Sequence, residues 1–114
     1  MAASEMDFIK GTLDVLVLRS LSWQPMHGYA IASFIRDNSN GTFRILDGAL
    51  YTALHRLEER GWVESTWGTS DKGKHAKFYS LTGAGRRGLR AEASAWARYV
   101  RAVASVMSAR PATA

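Results

Sequence analysis

The side chains best suited to chemistry in this sequence are polar and basic ones on one side of a helical stretch. Between positions 48 and 60, leucine and alanine recur at the helical period of 3.6 residues and define an inward face. The opposite face is small and polar enough to enter a DNA major groove, and it carries Gly48, Thr52, His55, Arg56 and Glu59. Arginine can bond guanine through two hydrogen bonds, and a threonine methyl can touch thymine. The pattern therefore predicts groove contacts by Thr52, His55 and Arg56, although His55 has the alternative of being merely exposed.

A second basic group lies in a turn between two segments with the periodicity of β-strands. Residues 63–68 and 77–81 each alternate between two faces, so two half-buried strands are expected. The turn carries Lys72 and Lys74, and Lys77 begins the second segment. Such lysines make phosphate or minor-groove contacts, which position a protein on DNA more than they read its sequence. Helix, strand, basic turn and strand in this order are typical of a winged-helix DNA-binding unit.

The distribution of charge is more informative than its total. The formal net charge is +5, yet residues 47–81 carry five Lys or Arg against five Asp or Glu. The excess lies in residues 82–114, where six arginines face one glutamate. These arginines could attract phosphates at long range, or they could form the solvated face of a helix. The neutral balance of residues 47–81 keeps open a winged-helix module that binds proteins and not DNA.

Composition narrows the class of protein further. A chain of 114 residues with 46% hydrophobic content is long enough for one domain and too short for two cores. The absence of cysteine excludes disulfides and thiolate sites and fits a reducing compartment. Charges interrupt both the N-terminal segment and the apolar run at 13–21, which is shorter than the roughly 20 residues that a membrane span needs. A soluble, cytoplasmic protein without a membrane partner is expected.

No arrangement of residues predicts an enzyme, a metal site or a cofactor. The histidines, His27, His55 and His75, fall on different elements without the spacing of metal ligands, and His27 is better placed to begin a helix. The run Gly83-Ala84-Gly85 is expected to lack the preceding strand and the following motif of a phosphate-binding loop, and it is interpreted as close packing at the joint between wing and helix. No nucleophile elbow accompanies the serines. The sequence therefore favours a binding protein.

Three helices, two strands and a long final helix must position these residues, which is a mainly α (α+β) arrangement. Helices are expected at about 9–22 and 27–40, because apolar positions recur at the helical period and Pro, Asn and Gly follow. Residues 43–45 are expected to form a short strand. Asp47 is the predicted N-cap of the third helix, and Gly61 is its predicted terminator.

The final helix, expected at about 82–109, carries an apolar seam. Its members are spaced four, three, four, three, four: Leu89, Ala93, Trp96, Val100, Val103 and Met107. This 3.5-residue repeat is typical of a coiled coil, and so small a domain has no room to bury it. The seam predicts a homodimer, and the alternative is a helix folded back on the first helix. The predicted organisation is a winged-helix DNA-binding domain at 1–81, a dimerisation helix at 82–110 and a disordered tail at 111–114.

Four segments together resemble the PadR family of bacterial transcriptional regulators, in particular its short members with one C-terminal dimerisation helix. They are GTLDVLVLRSL from Gly11, HGYAIA from His27, GALYTALHRLEERGWVES from Gly48 and KFYSLTGAGRR from Lys77. The resemblance covers nearly all of residues 9–110. Two departures bear on operator preference and wing contacts: Thr52 stands where proline is common, and Lys74-His75-Ala76 replaces an Arg-Pro-Arg type of run.

The resemblance implies a homodimeric repressor that binds double-stranded DNA and releases it when a small molecule binds. The family's DNA contacts would then come from the start of the third helix, from Tyr51 and from the basic wing. Carried onto this chain and joined with the groove candidates, they are Gly48, Ala49, Tyr51, Thr52, His55, Arg56, Lys72, Lys74 and Lys77. Tyr51 lies on the flank of the helix, where its phenol could bond a phosphate or simply form a half-buried rim.

The resemblance also implies an effector site between subunits. Trp96 lies in the middle of the seam, like an aromatic residue that lines the pocket in short relatives, and with its symmetry mate it could sandwich a flat aromatic or amphiphilic effector. Phe8, Val100 and Met107 are the other candidates for this pocket. Two alternatives remain: the two indoles pack together as interface core, or the regulator binds DNA without any ligand.

Overall fold

The computed structural model describes residues 11–112, and Phe8 lies outside them. The helices are α1 (Thr12–Leu21), α2 (Gly28–Asn38), α3 (Asp47–Glu59) and α4 (Gly83–Ser108), and the strands are β1 (Met26–His27), β2 (Val63–Thr69) and β3 (His75–Leu81). The strands form an antiparallel sheet in the order β1-β3-β2. This is a winged helix with a long C-terminal helix, so the predicted α+β fold is confirmed.

The core lies where α1, α2 and α3 meet one face of the sheet. Its fully buried large side chains include Leu18, Leu21, Ile31, Leu50, Leu54 and Leu57. The inward face predicted for α3 is confirmed, because its two turns of leucine and alanine are at most 1% exposed. Burial of these side chains is the main force that holds α3 against the body, since each contributes roughly 1.5–3 kcal/mol.

Local hydrogen bonds set the ends of three helices. His27 begins α2, as predicted, because its Nδ1 accepts the Ala30 N–H at 3.2 Å. Thr82 begins α4 in the same way, with its Oγ1 accepting the Gly85 N–H at 3.0 Å. Gly61 ends α3 with φ 81°, and the N–H groups of residues 61 and 62 return to the carbonyls of 58 and 57 at 3.0 Å. This is a Schellman motif, so the predicted terminator is confirmed.

The start of α3 differs from the prediction. The N-cap is Leu46, whose carbonyl accepts the Leu50 N–H at 3.0 Å, and Asp47 is already the first helical residue, without a side-chain cap bond. Asp47 still lies in the first turn, where a carboxylate favours the helix dipole. Gly11 also precedes α1 in a left-handed conformation with φ 89°, so the described α1 begins at Thr12.

The prediction of a short strand at Phe43 and Ile45 is wrong. These residues form no strand, and their side chains pack against the core from an irregular segment. The outer edge of β3 is instead paired with β1, where Met26 faces Tyr79 and His27 faces Phe78. A two-residue strand has too few positions to show a period of two, so the sequence pattern could not locate it.

The joint between the wing and α4 is a close contact of backbone with backbone. The Trp62 carbonyl accepts the Thr82 N–H at 3.1 Å, and the Thr82 Oγ1 donates to the Gly61 carbonyl at 2.7 Å. A Cβ on Gly85 would overlap the Trp62 carbonyl oxygen, and one on Gly88 would lie 2.5 Å from the Trp62 ring. The interpretation of the glycine run at 83–85 as close packing is therefore confirmed at Gly85.

We expect Gly85→Ala to lower the free energy of unfolding by roughly 1–3 kcal/mol or more, because the added methyl must push backbone away from backbone. The change is measured by urea unfolding followed by circular dichroism. Gly83→Ala is the matched control, since its nearest neighbour beyond the local chain is the Arg87 Nη1 at 3.6 Å. Equal stability of the two variants would contradict the close contact.

Candidate nucleic-acid interface

The outer stripe of α3 is exposed, as the sequence predicted. Gly48, Thr52, His55 and Glu59 lie on the side opposite the buried leucines. The His55 Nε2 lies 3.0 Å from the Glu59 Oε1, and both side chains are largely exposed. Among residues 11–112, no atom outside the local helix would lie within 4 Å of a Cβ on Gly48. The stripe thus offers an unobstructed helical surface at its beginning and a polar pair further along.

Arg56 lies on the flank of α3 that faces α1, where it binds Asp14. The Arg56 Nε donates to the Asp14 Oδ2 at 3.1 Å, and its Nη2 donates to the Asp14 Oδ1. The hydrogen bond to Asp14 raises the pKa of Arg56 above its ordinary value, and the negative charge of Asp14 adds to this effect. Local sequence patterns carry no signal of this pair, since the partners are 42 residues apart. The guanidinium of Arg56, which was expected to bond guanine, is therefore already hydrogen-bonded to a carboxylate.

The other flank of α3 is tied to α2 and to the wing. Tyr51 is 50% exposed, and its hydroxyl lies over Gly28, where an added Cβ would be 2.7 Å from the phenol oxygen. The Glu58 Oε2 accepts a hydrogen bond from the Ser65 Oγ at 2.9 Å. Tyr79 is buried, and its burial raises the pKa of its hydroxyl. The negative charge of Glu58 raises this pKa further. The absence of a side chain at Gly28 thus leaves room for the Tyr51 hydroxyl, and the Ser65–Glu58 hydrogen bond joins this flank of α3 to the wing.

The wing is the hairpin of β2 and β3, with seven paired positions from Val63 opposite Leu81 to Thr69 opposite His75. At its tip the Gly73 N–H donates to the Ser70 carbonyl at 2.8 Å, and Gly73 has φ 74°. This is a tight loop of the kind that ends in a left-handed glycine. Lys72 and Lys74 are exposed at the tip, as expected of a basic wing.

Lys77 lies nearer the body of the domain than the two lysines of the tip. Its side chain is partly buried, and its Nζ lies 5.8 Å from the centre of the Tyr79 ring. This distance is within reach of a cation–π attraction, which holds the ammonium over the sheet.

A cleft of about 1110 Å³ separates the wing from the start of α2 and from Tyr51. The structure brings four of the predicted contact residues to this cleft: Tyr51, Lys72, Lys74 and Lys77. It also brings two aromatic residues that the sequence reasoning did not assign to the site, Tyr29 and Trp67, which are 70% and 64% exposed. The predicted groove residues Thr52 and His55 remain on the stripe beside the cleft. The two sets therefore form one continuous surface of helix, aromatic rings and cations.

The predicted seam of α4 is buried only at its beginning. Leu89 is 8% exposed, and α4 contacts α1 and β3, whereas Ala93 and the positions beyond it are largely exposed. Trp96 is partly exposed and stacks on Tyr99, with ring centres 5.5 Å apart and planes at 17°. Beyond it Val100 and Val103 are 48% and 45% exposed and Met107 is 80% exposed. An apolar stripe of α4 is thus left open within the described chain.

Two further functions have no support within residues 11–112. The described part of the chain contains no group of three His, Cys, Asp or Glu side chains arranged to hold a metal ion. None of the helices in this range has both the length and the apolar character to cross a membrane.

The exposed α3 and the basic hairpin beside it define a winged-helix protein, the class of fold in which a helix and a wing share one binding surface. The chain belongs to the transcriptional regulator PadR-like family, which matches residues 17–91. The family identified from the sequence segments is therefore confirmed. The members of this family are described as transcriptional regulators.

Individual proteins are similar over most of the chain. An uncharacterized protein of Lysinibacillus sphaericus is 32% identical over 91 residues, covering 80% of this chain and 84% of that protein. A crystal structure of a PadR family transcriptional regulator from Eggerthella lenta is 31% identical with a TM-score of 0.73, covering 89% of this chain and 86% of that chain. A transcriptional regulator from Clostridium thermocellum is 26% identical with a TM-score of 0.75, covering 85% and 94%.

Proposed function

We propose that this protein is a sequence-specific, double-stranded-DNA-binding transcriptional repressor that acts as a homodimer. The observation that carries the proposal is the single surface formed by the exposed stripe of α3 and the lysine-lined cleft beside it. A helix presented next to a basic wing can enter a major groove while the wing contacts the flanking backbone. Membership of a family of transcriptional regulators supports the same interpretation.

The residues of α3 would divide the work according to their positions. Gly48 and Ala49 are exposed at the start of the helix, where small side chains let the backbone approach the DNA closely. Thr52 and His55 face outward and are the candidates for base edges. Arg56 would contact a base only if its hydrogen bonds to Asp14 were opened or supplemented, so its contribution depends on a competing carboxylate.

The flank and the wing would position the protein. Tyr51 points into the cleft with a half-exposed ring, which suits a hydrogen bond from its hydroxyl to a phosphate. Lys72, Lys74 and Lys77 would neutralise phosphates, and each neutralised phosphate releases counterions.

Binding to a labelled duplex from the region upstream of the protein's own gene, titrated over a series of salt concentrations, tests the proposal. We expect selective binding over a non-cognate duplex, with an affinity that falls steeply as salt rises. For Lys74→Ala the slope of log affinity against log salt should become shallower by about 0.9 for each phosphate that is no longer neutralised. Two copies of Lys74 in a dimer would double this change.

Arg110→Ala is the matched control, because it removes one positive charge beyond the end of α4. It should leave the slope unchanged. Absence of any preference over the non-cognate duplex, or a flat salt dependence, would favour the alternative of a winged-helix module that binds other proteins.

The dimer is proposed from the open stripe of α4. Within residues 11–112 the contact of α4 with α1 buries Leu89 and leaves Val100, Val103 and Met107 exposed, which supports pairing with a second subunit over folding back on α1. A second copy of the same stripe is complementary to it by two-fold symmetry. Such a dimer could place two α3 helices about 34–36 Å apart, which is one turn of DNA.

Replacing Val100 and Val103 together by Asp should convert a dimer into a monomer and weaken DNA binding, because four carboxylates would face each other across the seam. Both valines are nearly half exposed in the single chain, so its fold should survive, which circular dichroism would verify. Sedimentation equilibrium gives the mass. Ser105→Asp, on the opposite side of α4, should remain dimeric; a dimeric double variant would place the interface elsewhere.

We further propose that a small aromatic or amphiphilic effector binds between the subunits and releases the DNA. The stacked pair of Trp96 and Tyr99 offers a broad ring surface on the open stripe, with Val100 and Met107 further along the same helix. With its symmetry mate this pair could enclose a flat ligand. A ligand there would alter the angle between subunits and thus the spacing of the α3 helices.

The fluorescence of 1-anilinonaphthalene-8-sulfonate, a flat amphiphilic probe, tests this site without DNA. Trp96→Ala should bind the probe at least several-fold more weakly than the wild type while remaining a dimer. Unchanged probe affinity would exclude stacking on Trp96 and would favour a regulator whose indoles are packed together as interface core.

A further inference from the structure

The face of the wing that lines the cleft continues a row of side chains that begins in the core. Val63 and Leu81 are paired across the hairpin and buried, and Tyr79, two residues further out, is also buried. Because side chains on a strand alternate between faces, the next pair on the same face is Trp67 with Lys77. Trp67 is 64% exposed, so the row passes from the core to an open indole within four residues of strand.

The Trp67 ring lies close to the ring of His75, across the hairpin of the wing. Its centre lies 4.6 Å from the centre of the His75 ring, and the two planes are inclined by 34°. Phe78, an aromatic residue on the other face, packs against neighbouring parts of the fold. A Cβ on Gly68 would lie 3.1 Å from the Phe78 ring, and this ring also meets the His27 ring edge-on, with ring centres 5.4 Å apart. Trp67 thus lies beside the inclined His75 ring and keeps a large area turned toward the cleft, which folding of the described residues does not bury.

The opposite side of the cleft carries complementary chemistry. Tyr29 and Tyr51 contribute rings that are 70% and 50% exposed, and the lysines of the wing lie around the same space. Aromatic faces together with ammonium groups suit a sugar–phosphate chain, because the rings cover apolar sugar faces while the cations meet the phosphates. The positive balance of Lys72, Lys74 and Lys77 against Asp71 favours this polyanion as the occupant.

We infer that Trp67 is a further DNA-contact residue. Its indole packs against a deoxyribose of the DNA strand that would lie between the wing and α3. His75 is a positioning residue, since it holds the indole without touching the DNA. This inference rests on the proposed DNA binding and adds an uncharged contact to it. The contact strengthens binding by removing apolar surface from water, and it releases no counterions.

Because the contact of Trp67 is uncharged, the salt dependence of binding distinguishes it from the lysine contacts. In titrations of the labelled upstream duplex over a salt series, Trp67→Ala should weaken binding about tenfold at every salt concentration. The slope against log salt should stay at the wild-type value, unlike the slope of Lys74→Ala. Trp67→Phe keeps a ring and should recover most of the affinity, and His75→Ala should weaken binding less than Trp67→Ala.

Two control variants isolate the position of the indole. Thr66→Ala alters the neighbouring residue on the other face of the same strand, and Trp23→Ala removes another indole that is also 64% exposed but does not line the cleft. Both should bind like the wild type. Trp67→Phe also guards against a folding defect, because it keeps an aromatic ring beside His75 and must bind better than Trp67→Ala if the ring is what matters.

The outcomes distinguish a failure of DNA binding from a failure of the role given to Trp67. Wild-type protein without selective, salt-sensitive binding would remove the proposed function itself. Wild-type binding with full affinity in Trp67→Ala would overturn only the role of Trp67. Weaker binding by Trp67→Ala accompanied by a shallower salt slope would also overturn it, because the indole would then act through phosphate contacts and not through apolar packing.

Discussion

The joint at Trp62 is the contact on which the arrangement of the rest depends. Its carbonyl closes the wing by bonding Thr82, while Gly85 and Gly88 let the first turns of α4 lie directly against it. Because Trp62 also follows the end of α3, one position relates α3, the wing and the long helix. A methyl group at the wrong place would turn the whole of α4, whose 26 residues amplify any change of angle along their length.

The setting of α3 is fixed from both sides as well as from below. Buried leucines hold its inner face, the hydrogen bonds of Arg56 to Asp14 hold one flank, and the bond from Ser65 to Glu58 holds the other. The ion pair of Arg56 with Asp14 is partly exposed and contributes little to stability, since solvent screens it. Its effect is geometric: a helix restrained on two flanks presents its outer stripe in a single orientation, which reduces the ordering cost of binding.

Local patterns account for the parts of the fold that the sequence predicted. The leucine face of α3, the alternation of β2 and β3, the cap at His27 and the terminator at Gly61 each depend on residues a few positions apart. The features that sequence reasoning did not find are long-range. The strand at Met26 exists only because the edge of β3 is available to it, and the Arg56 partner lies in a different helix. Alternation puts Trp67 on the same face of β2 as Val63, but it does not distinguish the buried part of that face from the part that is open at the cleft.

The pairing of Arg56 with Asp14 has a consequence for how such a protein would search a genome. An arginine whose charge is already met by a carboxylate attracts passing phosphates less strongly than a free one, so it adds little to binding at random sites. If α3 enters a major groove as proposed, Arg56 would gain from leaving Asp14 only where a base offers it two acceptors of equal quality. The intramolecular pair would then shorten the time spent on wrong sequences, and it would favour discrimination over raw affinity.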